Sequence, residues 1–170
     1  MTIRAFYDQW PSYHRALTDV VAELSPDALA LRPAPDGWPI WATVAHTAGT
    51  RVYWLCGELG EPGAETTPFP HPMSGIGWED DLDTPRDAGE LVTALDSSWR
   101  IIEACLDRWT PEMLAETFVR RWGTSGAVHS RGSILQRLFS HDAYHCGELS
   151  QTLGTHGLTQ IDLWPPGSTA

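Results

Sequence analysis

His141 and His145 lie four residues apart in the stretch SHDAYHCGELSQTLG, with Glu148 three residues further on. On an α-helix, residues at i and i+4 share a face with about 5–6 Å between their Cβ atoms, so the two imidazoles stand one above the other. Neutral imidazole is the commonest metal ligand among side chains, and such a pair is half of a metal site. The chain contains seven histidines, however, and with that many a pair at this spacing arises readily by chance. Two neighbours add weight. Leu138, Leu149 and Leu153 lay an apolar stripe beside the pair, and an imidazole buried there without a partner costs about 1–3 kcal/mol. His46 lies in the apolar run WATVAHTAGT, where a facing helix would carry it to the same point. Three neutral imidazoles from two helices form a facial set that leaves positions open for water or substrate, the arrangement of catalytic metals. The residues alone leave two readings open: a divalent metal at His46, His141 and His145, or three core histidines satisfied by hydrogen bonds.

HDAYH is also H-E-x-x-H with Asp for Glu, but the shorter Asp142 would have to reach the metal-bound water and no third zincin ligand follows, so Asp142 is read as a supporting or surface residue. Glu148 shares the helical face of His141 and His145 and is the candidate catalytic carboxylate. It can orient a ligand histidine, take a proton from substrate or bind the metal, and the first role is preferred. Tyr144 points to another face and is read as a packing residue with its hydroxyl bonded. His71 and His129 are candidates for a pocket mouth, and His14 and His156 are read as structural or surface residues. Cys56, Cys105 and Cys146 show no metal-ligand spacing. Trp38, Trp41, Trp54 and Trp122 can wall a pocket, although core packing is the plainer reading of each.

The elements that must position these residues read as helices. From Ile3 to Leu24 apolar residues recur every three or four positions, and Pro11 either kinks this helix or marks its start. SPDAL places Ser25 as N-cap and Pro26 at the first position of a short helix. From Ile40 to about Leu59 the chain is apolar on nearly every side, as in a bundle core or a helix buried again in a dimer. Residues Gly60 to Asp83 are rich in Pro and Gly; a connection that long is a lid, an oligomer contact or a mobile segment. Within it, the acidic run WEDDLD reads as a solvated loop. A third helix follows, with Thr84 as N-cap, Pro85 in the first turn and Asp87 near the positive end of the dipole. TPEML starts another short turn at Thr110, and FVRRWGTSGAVHSRG reads as extended or loop. A fourth long helix, about Ser133 to Leu153, ends at Gly154 as a left-handed C-cap. Together they predict an all-α four-helix bundle in a single domain over residues 1–170, with its core at about 3–154 and a tail at 155–170.

Composition narrows the function classes. With 22 Asp and Glu against 11 cationic side chains the formal charge is −11, which disfavours nucleic-acid binding, since that rests on neutralising phosphates. No apolar stretch approaches the roughly 20 residues needed to span a bilayer, so no membrane partner is expected. The absence of a secretory pattern and three cysteines in all point to a reduced, cytoplasmic setting.

The segments LRPAPDGWPIWATVAHTAG and SILQRLFSHDAYHCGELSQTLG closely resemble the DinB-like superfamily, also called the YfiT-like metal-dependent hydrolases, over most of the chain. The resemblance implies an up-down-down-up bundle, a divalent zinc or nickel held by His46, His141 and His145, and a homodimer. It also implies, for members with assigned activity, thiol transfer or maleylpyruvate isomerisation with low-molecular-weight thiols such as bacillithiol or mycothiol. The Gly60 to Asp83 loop matches no pattern of the family. The expectation is a metal-dependent enzyme that activates a thiol or water against a small electrophilic substrate, as a thiol S-transferase or hydrolase. The alternative is a non-catalytic, stress-associated dimeric bundle that binds metal or a small ligand.

Overall fold

Pro11 settles where the first helix begins. In the computed structural model, which describes residues 1–121 and 126–164, helix α1 runs over Trp10–Ala22 with Pro11 in its first turn, where the missing N–H is no loss. A short helix α2, Pro26–Leu29, follows, and the Ser25 hydroxyl oxygen accepts from the Ala28 N–H as expected. Helix α3 spans Ile40–Val52 and continues into a wider π-helical turn over Tyr53–Glu58. Helix α4 covers Ala88–Arg108 and helix α5 covers Arg131–Thr155. Between the last two, strands β1, Thr117–Val119, and β2, Val128–Ser130, pair antiparallel with Phe118 opposite His129.

Two helix ends differ from the sequence reading. Asp87, not Thr84, caps α4: its carboxylate accepts from the Glu90 N–H at 2.8 Å while Glu90 accepts from the Asp87 N–H at 3.1 Å. This reciprocal pair satisfies two free donors at once, which Thr84 has no partner to match. At the C-terminus of α5, Gly154 lies inside the helix, and the left-handed residue is Gly157 at φ +70°. Its N–H reaches the Gly154 carbonyl and that of Leu158 reaches Leu153, closing the last turn.

Side-chain pairs give the helix directions. His46 and Arg51 of α3 and Trp54 in the turn just after it meet His145, Asp142 and Arg137 of α5, in reverse order, so these helices are antiparallel. Ala45 and Ala48 share a core cluster with Leu91 and Leu95, and Val52 and Leu55 share the next one with Ile102 and Leu106, so α3 and α4 run parallel. Trp10 meets Phe139 of α5 while Leu17 and Val21 share a cluster with Leu149 and Leu153, so α1 runs parallel to α5. The chain is thus an all-α bundle with the expected up-down-down-up order, and the long connection between α3 and α4 is what a parallel step requires.

A charged pair sits at the seam between the two apolar clusters. Arg51 of α3 and Asp142 of α5 are buried and doubly bonded, Nε to Oδ1 at 3.2 Å and Nη2 to Oδ2 at 2.9 Å. Arg51 Nη1 also donates to the Leu95 carbonyl and the Ser98 hydroxyl of α4, and Trp10 Nε1 of α1 donates to Asp142 Oδ2 at 2.8 Å. One guanidinium and one carboxylate therefore touch all four long helices. Asp142 is neither a metal-water base nor a surface group.

Residues Gly60 to Asp83 fold back over α3. Phe69 packs against Gly49, where a Cβ would stand 3.6 Å from its ring, and Met73 fills the space beside Gly57, where a Cβ would meet its sulfur at 2.8 Å. The all-round apolar character of α3 is accounted for within this chain by its own loop.

Removing one partner of the buried pair, as in Asp142→Ala, leaves an uncompensated charge and is expected to cost about 3–5 kcal/mol in urea unfolding, while Arg51→Met with Asp142→Leu recovers most of that loss. His14 sets a pH dependence of its own. It is buried against Trp99 and donates to Asp96 at 3.1 Å as a neutral ring; burial, and then Arg51 and Arg15, push its pKa down to about 3. The unfolded chain, with an ordinary histidine near 6.5, binds the extra proton between those values. Stability is therefore full above about pH 6.5 and falls as pH drops toward about 3, and His14→Gln flattens that part of the profile in pH-dependent melts.

Candidate metal centre

The antiparallel contact of α3 with α5 brings His46 over the His141–His145 pair. Nε2 of His141 lies 3.2 Å from Nε2 of His46 and 3.2 Å from Nε2 of His145. One ligand atom from each ring falls within 4.8 Å of the others. All three histidines singled out in the sequence are brought together.

Hydrogen bonds behind the rings fix which nitrogen faces inward. His46 Nδ1 donates to Glu79 Oε1 at 2.7 Å, and His145 Nδ1 donates to Glu148 Oε2 at 2.8 Å. A carboxylate accepts only, so each of these rings in its neutral form keeps its Nε2 lone pair for the shared centre. His141 Nδ1 is buried with no hydrogen-bond partner among the described residues. Burial first, then the neighbouring His145 and His46, pushes the His141 pKa down to about 3. Burial also lowers that of His145, with the Glu148 hydrogen bond opposing it. The helix pair His141 and His145 thus presents neutral nitrogen ligands at neutral pH.

These residues fit a divalent ion. Two nitrogens each about 2.0–2.1 Å from a tetrahedral zinc stand about 3.3 Å apart, close to the 3.2 Å found. Two ligand rings carry carboxylates on their far nitrogens, the usual support for metal-bound histidine. Imidazole suits zinc and nickel alike.

A cavity of about 410 Å³ opens on one side of the centre, with His46 and His141 in its wall. Trp54 and Phe69 supply aromatic surface, Ile76 and Glu79 come from the long loop, and Arg120 and Arg137 add two cations. The loop is therefore a wall of the cavity. Trp38 lies against His46, ring centroids 5.0 Å apart, while Trp41 is in the core and Trp122 lies outside the described residues. Tyr144 is exposed, edge-on to His145, which does not bear out its reading as a bonded packing residue. His129 contacts Trp54 at the foot of the hairpin, and His71 is exposed away from the cavity wall. Burial pushes the thiols of Cys105 and Cys146 up to about 12 and that of Cys56 up to about 11, so none is a ready nucleophile.

Sequence reasoning missed Glu79. It belongs to the acidic run read as a solvated loop, and no spacing ties it to His46, 33 residues earlier. Arg51 was missed as well, because an arginine in an apolar helix declares its role only beside its partner.

Fold and site together define an all-α bundle protein with a three-histidine centre between two antiparallel helices. The chain belongs to the DinB superfamily, whose family model matches residues 12–149. A crystal structure of a DinB-like protein from Bacillus cereus is similar in fold, with a TM-score of 0.72 at 18% identity over 96% of this chain and 98% of that one. A DinB-like protein from Bacillus subtilis gives 0.63 at 17% identity over 91% and 93% of the two chains. No curated protein matches this chain. Among the described residues no helix is long and apolar enough to cross a membrane.

Zinc or nickel at a hundredfold excess over Kd is expected to stabilise the metal-free chain by about 2.7 kcal/mol. That is a rise of roughly 5–10 °C in melting temperature for a chain of this size. His141→Ala should abolish the rise; an equal rise in the variant would place the metal elsewhere.

Proposed function

We propose that this chain is a metal-dependent enzyme in which His46, His141 and His145 hold a divalent zinc or nickel, and a low-molecular-weight thiol or a water attacks a small electrophilic substrate in the adjoining cavity. The observation that carries the reading is the combination of three convergent imidazole Nε2 atoms with a cavity on their open side. A bound divalent ion supplies a Lewis acid that lowers the pKa of a coordinated thiol or water and so yields a nucleophile at neutral pH.

The protein's own residues do the rest. Glu79 and Glu148 hold the His46 and His145 rings in one tautomer and one orientation and raise their donor strength. Because both carboxylates are engaged behind the rings, neither closes the coordination set, which favours an open, catalytic site over a saturated one. Phe69 and Trp54 exclude water from the cavity wall. The raised pKa values of the three thiols favour an external thiol or water as nucleophile. Thiol S-transfer and hydrolysis both use these parts and differ in which nucleophile enters; a cytoplasmic homodimer completes the proposal.

The test is turnover of the zinc-loaded and nickel-loaded chain on electrophiles such as monobromobimane, with cysteine, bacillithiol, mycothiol or water as nucleophile. Activity should vanish on chelation and in His141→Ala. Glu79→Gln and Glu148→Gln should each lower metal affinity or rate by roughly 10–100-fold. Wild-type rates in the His141 variant would end the proposal.

A further inference from the structure

Trp54, on the cavity wall, carries two arginines. The guanidinium carbon of Arg137 lies 4.9 Å from its ring centroid and that of Arg120 lies 5.3 Å away. Both arginines line the same cavity as His46 and His141. Arg120 is braced from behind: its Nη2 donates to the Tyr53 hydroxyl at 3.2 Å, and its Nε stands 3.7 Å from the buried Glu58. Arg137 precedes His141 by one turn on the same face of α5 and has no carboxylate partner among the described residues. The two acids in the cavity wall are already engaged, Glu79 by His46 and Asp80 by the Gly77 N–H.

Arg120 is already paired with Glu58, whereas Arg137 keeps an exposed guanidinium with no carboxylate partner among the described residues, a charge-assisted donor for an anion that enters the cavity. Contact with the indole leaves the N–H edge of Arg137 free, and that planar fork suits a carboxylate or similar oxyanion, with Arg120 adding its charge beside the same ring. Phe69 and Ile76 leave apolar surface for the rest of a small molecule.

We propose that the cavity selects small substrates bearing a carboxylate or comparable oxyanion, held by Arg137 and Arg120, with an apolar body against Phe69 and Ile76. The choice of class rests on the metal-centre reading only for which end of the substrate meets the histidines; anion capture itself does not need the metal.

Benzoate and benzamide match in shape and differ in charge, so calorimetric titration of both into zinc-loaded and EDTA-treated full-length protein isolates the anion. Benzoate should bind both forms and should exceed benzamide by roughly tenfold or more, the range of a charge-assisted contact. Arg137→Gln should remove that preference, Arg137→Lys should restore part of it, and zinc stoichiometry should stay as in wild type in both. Equal affinity for the two probes, no benzoate binding up to its solubility limit, or a preference unchanged in Arg137→Gln would overturn the proposal. Benzoate binding that requires zinc and ignores Arg137 would overturn it while leaving the metal centre standing. Failure of the chain to take up zinc would sink the metal reading alone, since the EDTA-treated arm still reports on the arginines.

Discussion

The buried pair of Arg51 and Asp142 is the constraint on which the rest of the structure depends. Hydrophobic burial holds four helices together but is nondirectional, and a helix can slide one turn along its neighbour at modest cost. A doubly bonded ion pair with no water to replace it allows one register of α3 against α5. His46 stands five residues before Arg51, and His141 and His145 flank Asp142, so that register also sets the convergence of the three imidazoles. The further bonds to Leu95, Ser98 and Trp10 tie α4 and α1 to the same point. Structural and functional geometry thus share one charged contact at the seam of the two apolar clusters.

The long loop answers two questions that the helices leave open. It covers the outer side of α3, so that a helix apolar all round is buried inside its own chain, with Gly49 and Gly57 giving the space for Phe69 and Met73. It also forms the cavity wall and delivers Glu79 to the back of His46. Its short 3-10 turns at Ala64–Thr66, Pro72–Ser74 and Trp78–Asp80 are local and aperiodic, which is why a helical-period reading finds nothing there.

Much of the fold and the clustering of three histidines was legible in the sequence because both rest on helical period. The i, i+4 spacing of His141 and His145 and the misfit of His46 in an apolar helix are local signals, and so are the stripes of α1 and α4. What escaped depends on contacts distant in sequence. Asp142 looked like an accessory of its histidine neighbours because Arg51 is 91 residues away. Glu79 looked like solvated charge because its imidazole partner lies on another element. The cap of α4 was placed at Thr84 by residue type, whereas the reciprocal bond with Glu90 decides for Asp87. Gly154 and Gly157 are equal in composition; only the backbone of the last turn separates them.

Glu79 is where two properties that are usually tuned apart become one. The segment that shapes the cavity, and so decides which molecules enter, also supplies the carboxylate that sets the basicity of a candidate ligand ring. An insertion, deletion or shift in residues 60–83 would therefore alter molecular fit and the electron density on His46 together. Variation in this one surface loop would then reshape the cavity and the surroundings of His46 together without touching the core of the bundle.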